Sequence, residues 1–300
     1  MENIIRIDSI SMLHELLGYD KPMHPLITLI NLNNINPMEK YQSKQLVTGF
    51  YTITLKKGKN CGLRYGRQYY DFSEGSLMFM APEQVTMVEY NHNEAEIEGW
   101  MLCFHPDLIR KSGLGRKMEE FTFFSYDVNE ALHLSEKEKQ IITNIVDTIK
   151  TEFSQNIDVY SQDLIVSNIE VLLNYSKRFY GRQFITRTTA NKDVISRFDK
   201  LMRDHFNSKS LEEKGIPSVK YLAKEMGYST NYLSDLLKKE TGKNAQEHIH
   251  LYLVEKAKTL LLGTSEPIYQ IAYMLGFEYP AHFSKFFKSK TGMSPMAFRK

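Results

Sequence analysis

The 300-residue sequence predicts an α+β protein: a small N-terminal β-barrel, then a pair of long helices, then an all-α region of two helix-turn-helix motifs. Three observations carry this. Short β-type segments follow one another up to about residue 105, the hydrophobic period changes at Ser135, and the last third contains an internal repeat. A length of 300 residues fits two domains. A hydrophobic fraction of 42% and a charged fraction of 25% exclude a disordered or low-complexity chain.

The β-type segments are Ile27–Leu32, Leu46–Leu55, Gln68–Phe72, Ser76–Ala81, Val85–Tyr90 and Gly99–Phe104. Each is rich in β-branched or aromatic residues and is bounded by Gly, Asn or Pro, so a sandwich or small barrel is expected. From Ser135 the period becomes helical. Ser135 and Glu138 have capping-box spacing, and Ile142, Ile145, Ile149 and Phe153 form a stripe. A second helix, about Ser161 to Tyr180, carries Ile165, Ile169, Leu172 and Phe179 on an a/d-like seam with Ser176 at its weak position. These helices either close over the barrel or pair with a second copy; a dimerisation segment is the favoured reading. Gly181–Lys192 is polar and reads as an interdomain linker.

The repeat runs from Ser218 and again from Pro267. Ala223, Gly227 and Tyr228 match Ala272, Gly276 and Phe277 at an offset of 49. Leu233, Leu237, Lys238, Thr241 and Gly242 match Phe283, Phe287, Lys288, Thr291 and Gly292 at an offset of 50, one residue having been added in the second turn. Each copy has a short helix, a turn glycine suited to left-handed backbone, and a second helix with one apolar face. Leu233, Leu236 and Leu237, and Phe283, Phe286 and Phe287, are expected to point inward. The outer faces are what a recognition helix turns to the major groove. The candidate DNA-contacting residues are Thr230, Asn231, Ser234, Asp235 and Lys238 in the first copy. In the second they are Tyr279, Ala281, His282, Ser284, Lys285 and Lys288. Residues 245–262 form a helix between the copies.

The net charge of +2 conceals an asymmetry. Lys192–Lys300 holds 18 basic and 12 acidic residues, net +6, and the preceding residues hold 20 and 24, net −4. A basic last third on a mildly acidic body points to nucleic acid.

Residues 193–300 resemble the DNA-binding region of AraC/XylS-type transcription regulators. The resemblance rests on Ile271, Ala272, Gly276, Phe277, Phe283, Phe287, Lys288, Gly292, Ser294, Pro295, Phe298 and Arg299 in their order. It implies sequence-specific binding of double-stranded DNA by a homodimer and contact with RNA polymerase. The sequence departs from the family pattern at Asp235 and Lys285, where Arg is usual, and at Leu253–Val254, where Arg-Leu is common. Asp235 cannot clamp guanine as Arg does, so readout is expected to rest on Asn231, Ser234, Ser284 and Lys285.

The strands up to Phe104 resemble the cupin-like barrel often joined to this region, with Gly75–Gln84 similar to the second cupin motif. No His lies between Asn31 and Asn91, so the cupin metal triad is missing and no metal or cofactor is expected. His248 and His250 diverge on a helix. Trp100, Tyr65, Tyr69 and Tyr70 are candidate pocket residues, though a core or surface role suits most of them better. No catalytic motif is present, and no enzyme is expected. Cys61 and Cys103 form no disulfide framework, and neither a signal peptide nor a membrane span is read, so a cytoplasmic protein is expected.

The expected organisation is therefore a cupin-like domain (1–130), helical dimerisation segment (131–180), linker (181–192) and DNA-binding domain (193–300). Two readings of the barrel stand: a sensor of a small-molecule effector, or an assembly domain without ligand. A barrel enzyme with a DNA-binding appendage is a third, disfavoured by the missing metal triad.

Overall fold

The computed structural model describes residues 4–34, 44–57, 62–65, 68–71, 75–87, 98–127, 130–155, 158–186, 188–207, 211 and 215–299. The chain divides into two compact units, Met1–Gln183 and Phe184–Lys300. The division falls inside the expected linker.

The first unit contains β1 (Ile4–Ile7), α1 (Ile10–Leu17), β2 (Ile27–Asn31), β3 (Gln45–Thr48), β4 (Tyr51–Lys57), β5 (Gly62–Tyr65), β6 (Gln68–Asp71), β7 (Ser76–Met80), β8 (Val85–Met87) and β9 (Glu98–Phe104). Short helices α2 (Pro106–Ile109) and α3 (Gly113–Lys117), strand β10 (Leu132–His133) and helix α4 (Glu136–Ser154) follow. Helix α5 (Ser161–Thr186) runs across the division. The strands form an antiparallel sheet of order β10-β7-β4-β9-β2, a sheet of order β1-β3-β8 and the β5-β6 pair. Among the described residues these ladders do not close into a barrel.

Leu46–Leu55, expected as one strand, is two strands in different sheets. At Gly49 the backbone N–H bonds to Ile7 O at 2.9 Å, and Phe50 turns into the core, 1% exposed. The chain thus passes from the central strand of one sheet to the central strand of the other. Sequence reading missed β1 and α1, although Ser9 caps α1 through Met12 N and Gly18 ends it in left-handed backbone. Residues 88–90 of the expected Val85–Tyr90 strand lie outside the described residues.

The two faces of the five-stranded sheet are covered differently. On one, Ile30 and Cys103 pack with Ile7, Ile10, Leu13, Leu17 and Phe50. Burial pushes the Cys103 thiol up to about 12, so it packs as a neutral side chain. Cys61 lies outside the described residues. On the other face Phe79 meets Phe123 at 4.4 Å, Phe124 at 5.4 Å and Tyr180 of α5 at 6.1 Å between ring centroids.

Both long helices form as the periodicity requires. The Ser135–Glu138 capping box is complete, and Arg182 of α5 donates to both Glu138 carboxylate oxygens and to His133 O. The buried stripe of α4 is Ile142, Val146, Ile149 and Phe153; Val146 replaces the expected Ile145, which is half-buried. A spacing of four, three and four follows the 3.6-residue period more closely than the sequence guess. Along α5, Ile165, Ile169, Leu172, Ser176 and Phe179 are all buried within the chain. This seam is therefore covered by the protein's own residues, and Leu164 (47% exposed) and Val171 (43%) lie on the outer side.

The second unit is helical: α6 (Thr188–Asn207), α7 (Val219–Met226), α8 (Thr230–Thr241), α9 (Ala245–Gly263), α10 (Ile268–Met274), α11 (Pro280–Thr291) and α12 (Pro295–Arg299). The expected linker is helical on both sides of residue 187. Its threonines lower helix propensity, but no Pro breaks it. α9 buries Ala245, Ile249, Leu253, Val254, Ala257 and Leu261, and packs against the helices of both repeats. Leu253 and Val254, where the sequence departs from the family, are thus core residues. No helix of the described residues is long and apolar enough to cross a membrane.

Candidate nucleic-acid interface

Each repeat folds as the sequence lays it out. In the first, Ser218 caps α7 through Tyr221 N, and Leu222, Ala223 and Met226 are buried. Gly227 takes φ +76°, and Ser229 caps α8 by accepting from Tyr232 N. In the second, α10 buries Ile271 and Ala272, Gly276 takes φ +78°, and Pro280 is the first residue of α11. Its missing N–H costs nothing there. The buried alanines let the two helices of each copy approach closely.

The repeat extends further than the residue matches suggested. Thr241 Oγ1 donates to Leu237 O, and Thr291 Oγ1 donates to Phe287 O, both at 2.8 Å. Each hydroxyl then accepts from the N–H two residues on, Lys243 or Met293. Asn244 and Ser294, again 50 apart, accept from Glu247 N and Ala297 N at the starts of α9 and α12. The signal that could have revealed this is Thr-Gly-Lys-Asn against Thr-Gly-Met-Ser, a helix stop followed by a cap.

The inner faces are closed. Leu233, Leu236 and Leu237 are at most 1% exposed, and Phe283 and Phe287 are fully buried. Phe286 is half-buried, flanked by Phe277 at 5.6 Å and His250 at 5.3 Å, so it sits at the edge of the core it was expected to enter. Of the candidate set, Thr230, Lys238, Tyr279, Ala281, His282, Lys285 and Lys288 are exposed. Asn231, Ser234, Asp235 and Ser284 are half-buried. The ring of His282 lies 5.2 Å from that of Tyr279, edge-on, at the start of α11. No ion pair engages Lys238, Lys285 or Lys288 among the described residues.

His248 and His250 do not form a pair. His248 Nε2 bonds Thr241 Oγ1 at 2.7 Å, whereas His250 Nε2 bonds Gln246 Nε2 at 2.9 Å. Burial lowers the pKa of both rings. No group of three or more His, Cys, Asp or Glu fit to hold a metal occurs among the described residues.

Residues 222–300 match the family model of a helix-turn-helix domain. The C-terminal unit thus contains a helix-turn-helix domain. This domain is 34% identical over 82 residues to the uncharacterized HTH-type transcriptional regulator YobQ of Bacillus subtilis, covering 27% of this chain and 34% of that protein. The uncharacterized transcriptional regulatory protein YesN of the same organism is 32% identical over 131 residues, with coverages of 41% and 34%. The HTH-type transcriptional activator RhaS of Enterobacter is 26% identical over 241 residues, 78% of this chain and 80% of RhaS. The chain spans about a third of the length of the two Bacillus relatives. These likenesses are to transcription regulators and support the AraC-type resemblance of the helix-turn-helix region.

In the first unit, a small cleft is lined by Met78, Phe79, Met80, Gln84, Phe123, Tyr126, Asp127, Ala131 and Tyr180. Burial holds the Asp127 carboxyl above its ordinary pKa. Of the pocket candidates read from sequence, Trp100 has a buried Nε1 with no hydrogen-bond partner among the described residues. The side chains of Tyr65, Tyr69 and Tyr70 lie outside the described residues.

Proposed function

We propose that the whole chain is a one-component, cytoplasmic transcription regulator, not an enzyme, that reads double-stranded DNA as a homodimer through α8 and α11. The observation that carries this is the pair of helix-turn-helix units with closed apolar inner faces and outer faces bearing exposed lysines. Asn231, Ser234, Ser284 and Lys285 are positioned to meet base edges. Lys238 and Lys288, with Thr230 and the exposed Tyr279, Ala281 and His282, flank them for backbone contact. Asp235 sits on the same side as an acceptor or a rim charge that phosphate avoids. Contact with RNA polymerase follows from the family resemblance.

The test is DNA binding by the full chain across a salt series. Affinity should fall steeply with salt. Lys285→Ala should change sequence preference as well as affinity, while Lys288→Ala should weaken all sequences alike, each by roughly 1–2 kcal/mol. Identical profiles for the two variants would refute this division of roles.

The first unit is read as the cupin-like sensor or assembly domain, with α4 and α5 as the dimerisation segment. Since the inner seam of α5 is spent within the chain, a second copy must meet the outer side. Leu164→Glu with Val171→Glu should therefore turn a dimer into a monomer in sedimentation; an unchanged mass would exclude this face. A thermal-shift screen with small metabolites separates the sensor and assembly readings, since silence across a broad panel favours assembly.

A further inference from the structure

Position-by-position comparison of the two reading helices exposes a charge reversal. At the offset of 50, Asp235 is matched by Lys285 and Glu240 by Lys290, while Lys238 is matched by Lys288 and Lys239 by Ser289. α8 thus holds two lysines and two acids, net zero, and α11 holds three lysines and no acid. The first helices are reversed in the other sense. Lys220 and Lys224 of α7 are matched by Tyr269 and Tyr273 of α10 at the offset of 49.

The surroundings deepen this contrast. Lys285, Lys288 and Lys290 are exposed, and none has an ion pair among the described residues. Lys285 and Lys288 stand three residues apart on one helical stripe, where like charges repel unless an anion lies between them. The N-terminus of α8 uses its own Ser229 Oγ to hold Tyr232 N–H, whereas Tyr279 makes no side-chain cap bond at the start of α11. The field that favours phosphate is therefore concentrated on α11. On α8 the acids offset it, leaving Asn231 and Ser234 as uncharged hydrogen-bonding groups on the outer side.

We propose that the two units divide the work of binding: α11, through Lys288 and Lys290, clamps phosphates beside the base-facing Lys285 and supplies most of the nonspecific hold, whereas the neutral α8 adds sequence discrimination with little nonspecific hold. This rests on the DNA-binding reading above and goes beyond it by giving the units unequal roles.

The experiment is fluorescence anisotropy of the full chain over a salt series, with two duplexes: one selected from a random pool by the full chain, and its scrambled counterpart. K288A/K290A should lower the log–log salt slope by about two and weaken both duplexes tenfold or more. N231A/S234A should leave the slope and the scrambled duplex unchanged and reduce the selected-to-scrambled ratio about tenfold. All four positions lie on outer faces, and unchanged circular dichroism confirms that the variants fold. The proposal is overturned if K288A/K290A leaves the slope intact, or if N231A/S234A weakens the scrambled duplex as much as K288A/K290A does. Absence of binding by the unaltered chain at low salt would instead overturn the DNA-binding reading itself.

Discussion

Gly276→Ala should destabilise the C-terminal unit by about 3 kcal/mol or more, and Gly227→Ala at the matching turn by only about 1 kcal/mol. Both glycines have left-handed backbone, at φ +78° and +76°, so an L side chain is strained at either. They differ in what surrounds them. A Cβ at Gly276 would stand 2.9 Å from Leu211 O and 3.0 Å from both Gly215 Cα and Ile216 N, all backbone atoms that cannot swing aside. A Cβ at Gly227 meets nothing within 4 Å. Handedness alone costs on the order of 1 kcal/mol; forcing backbone apart adds several times that. Urea unfolding of the full chain, followed by helical signal, measures the difference. Equal losses would show that the close approach at Gly276 is relieved at little cost.

Phe287→Ala should cost about 3–5 kcal/mol, the range for emptying a large aromatic site in a core. Phe287 is 0% exposed and ties the reading helix α11 to α12. Its ring is 5.8 Å from Phe283 on the same helix and 5.3 Å from Phe298 of α12, and its carbonyl accepts from Thr291 Oγ1. Truncation would leave a cavity walled by helices whose caps hold them in place, so collapse is poor and the penalty large. Phe286→Ala, at the edge of the same cluster, should cost less than half as much. Calorimetric melting of the two variants checks the ranking, and a similar loss in both would mean that α11 is rotated from its described orientation.

The C-terminal unit was more legible in the sequence than the N-terminal one, for a physical reason. Its helices are local structures whose caps, turn glycines and apolar stripes lie within a few residues of one another. Ser229, Gly227 and the Leu233–Leu237 face declare themselves without knowledge of the rest of the chain. Repetition then tests each feature twice. The strands of the first unit were found, but their partners were not. Whether Leu46–Leu55 is one strand or two depends on Ile7, some forty residues away, receiving the Gly49 N–H. Likewise, the seam of α5 is visible in its spacing, but only folding reveals that Phe79 and Phe123 lie near its end at Tyr180. Ile145 and Val146 are adjacent apolar residues, and the turn of α4 alone decides which is inward.

The candidate contact set was legible for the same local reason: a helix whose inner face is fixed by leucines or phenylalanines has its outer face fixed too. Charge reversal between α8 and α11 was also present in the letters. It became informative once the shared framing of the two helices made Asp235 and Lys285 equivalent places.

The matched threonine brackets, Thr241 with Lys243 and Thr291 with Met293, have a consequence for how such a protein changes over time. Each reading helix is started, stopped and seated by residues that do not belong to its outer surface. The two helices therefore occupy interchangeable sockets, and the residues facing away from a socket are free to drift without unseating it. New binding preferences can accumulate one outer position at a time, in either copy, at little expense in folding. A chain carrying two such sockets can retain its grip with one while the other explores.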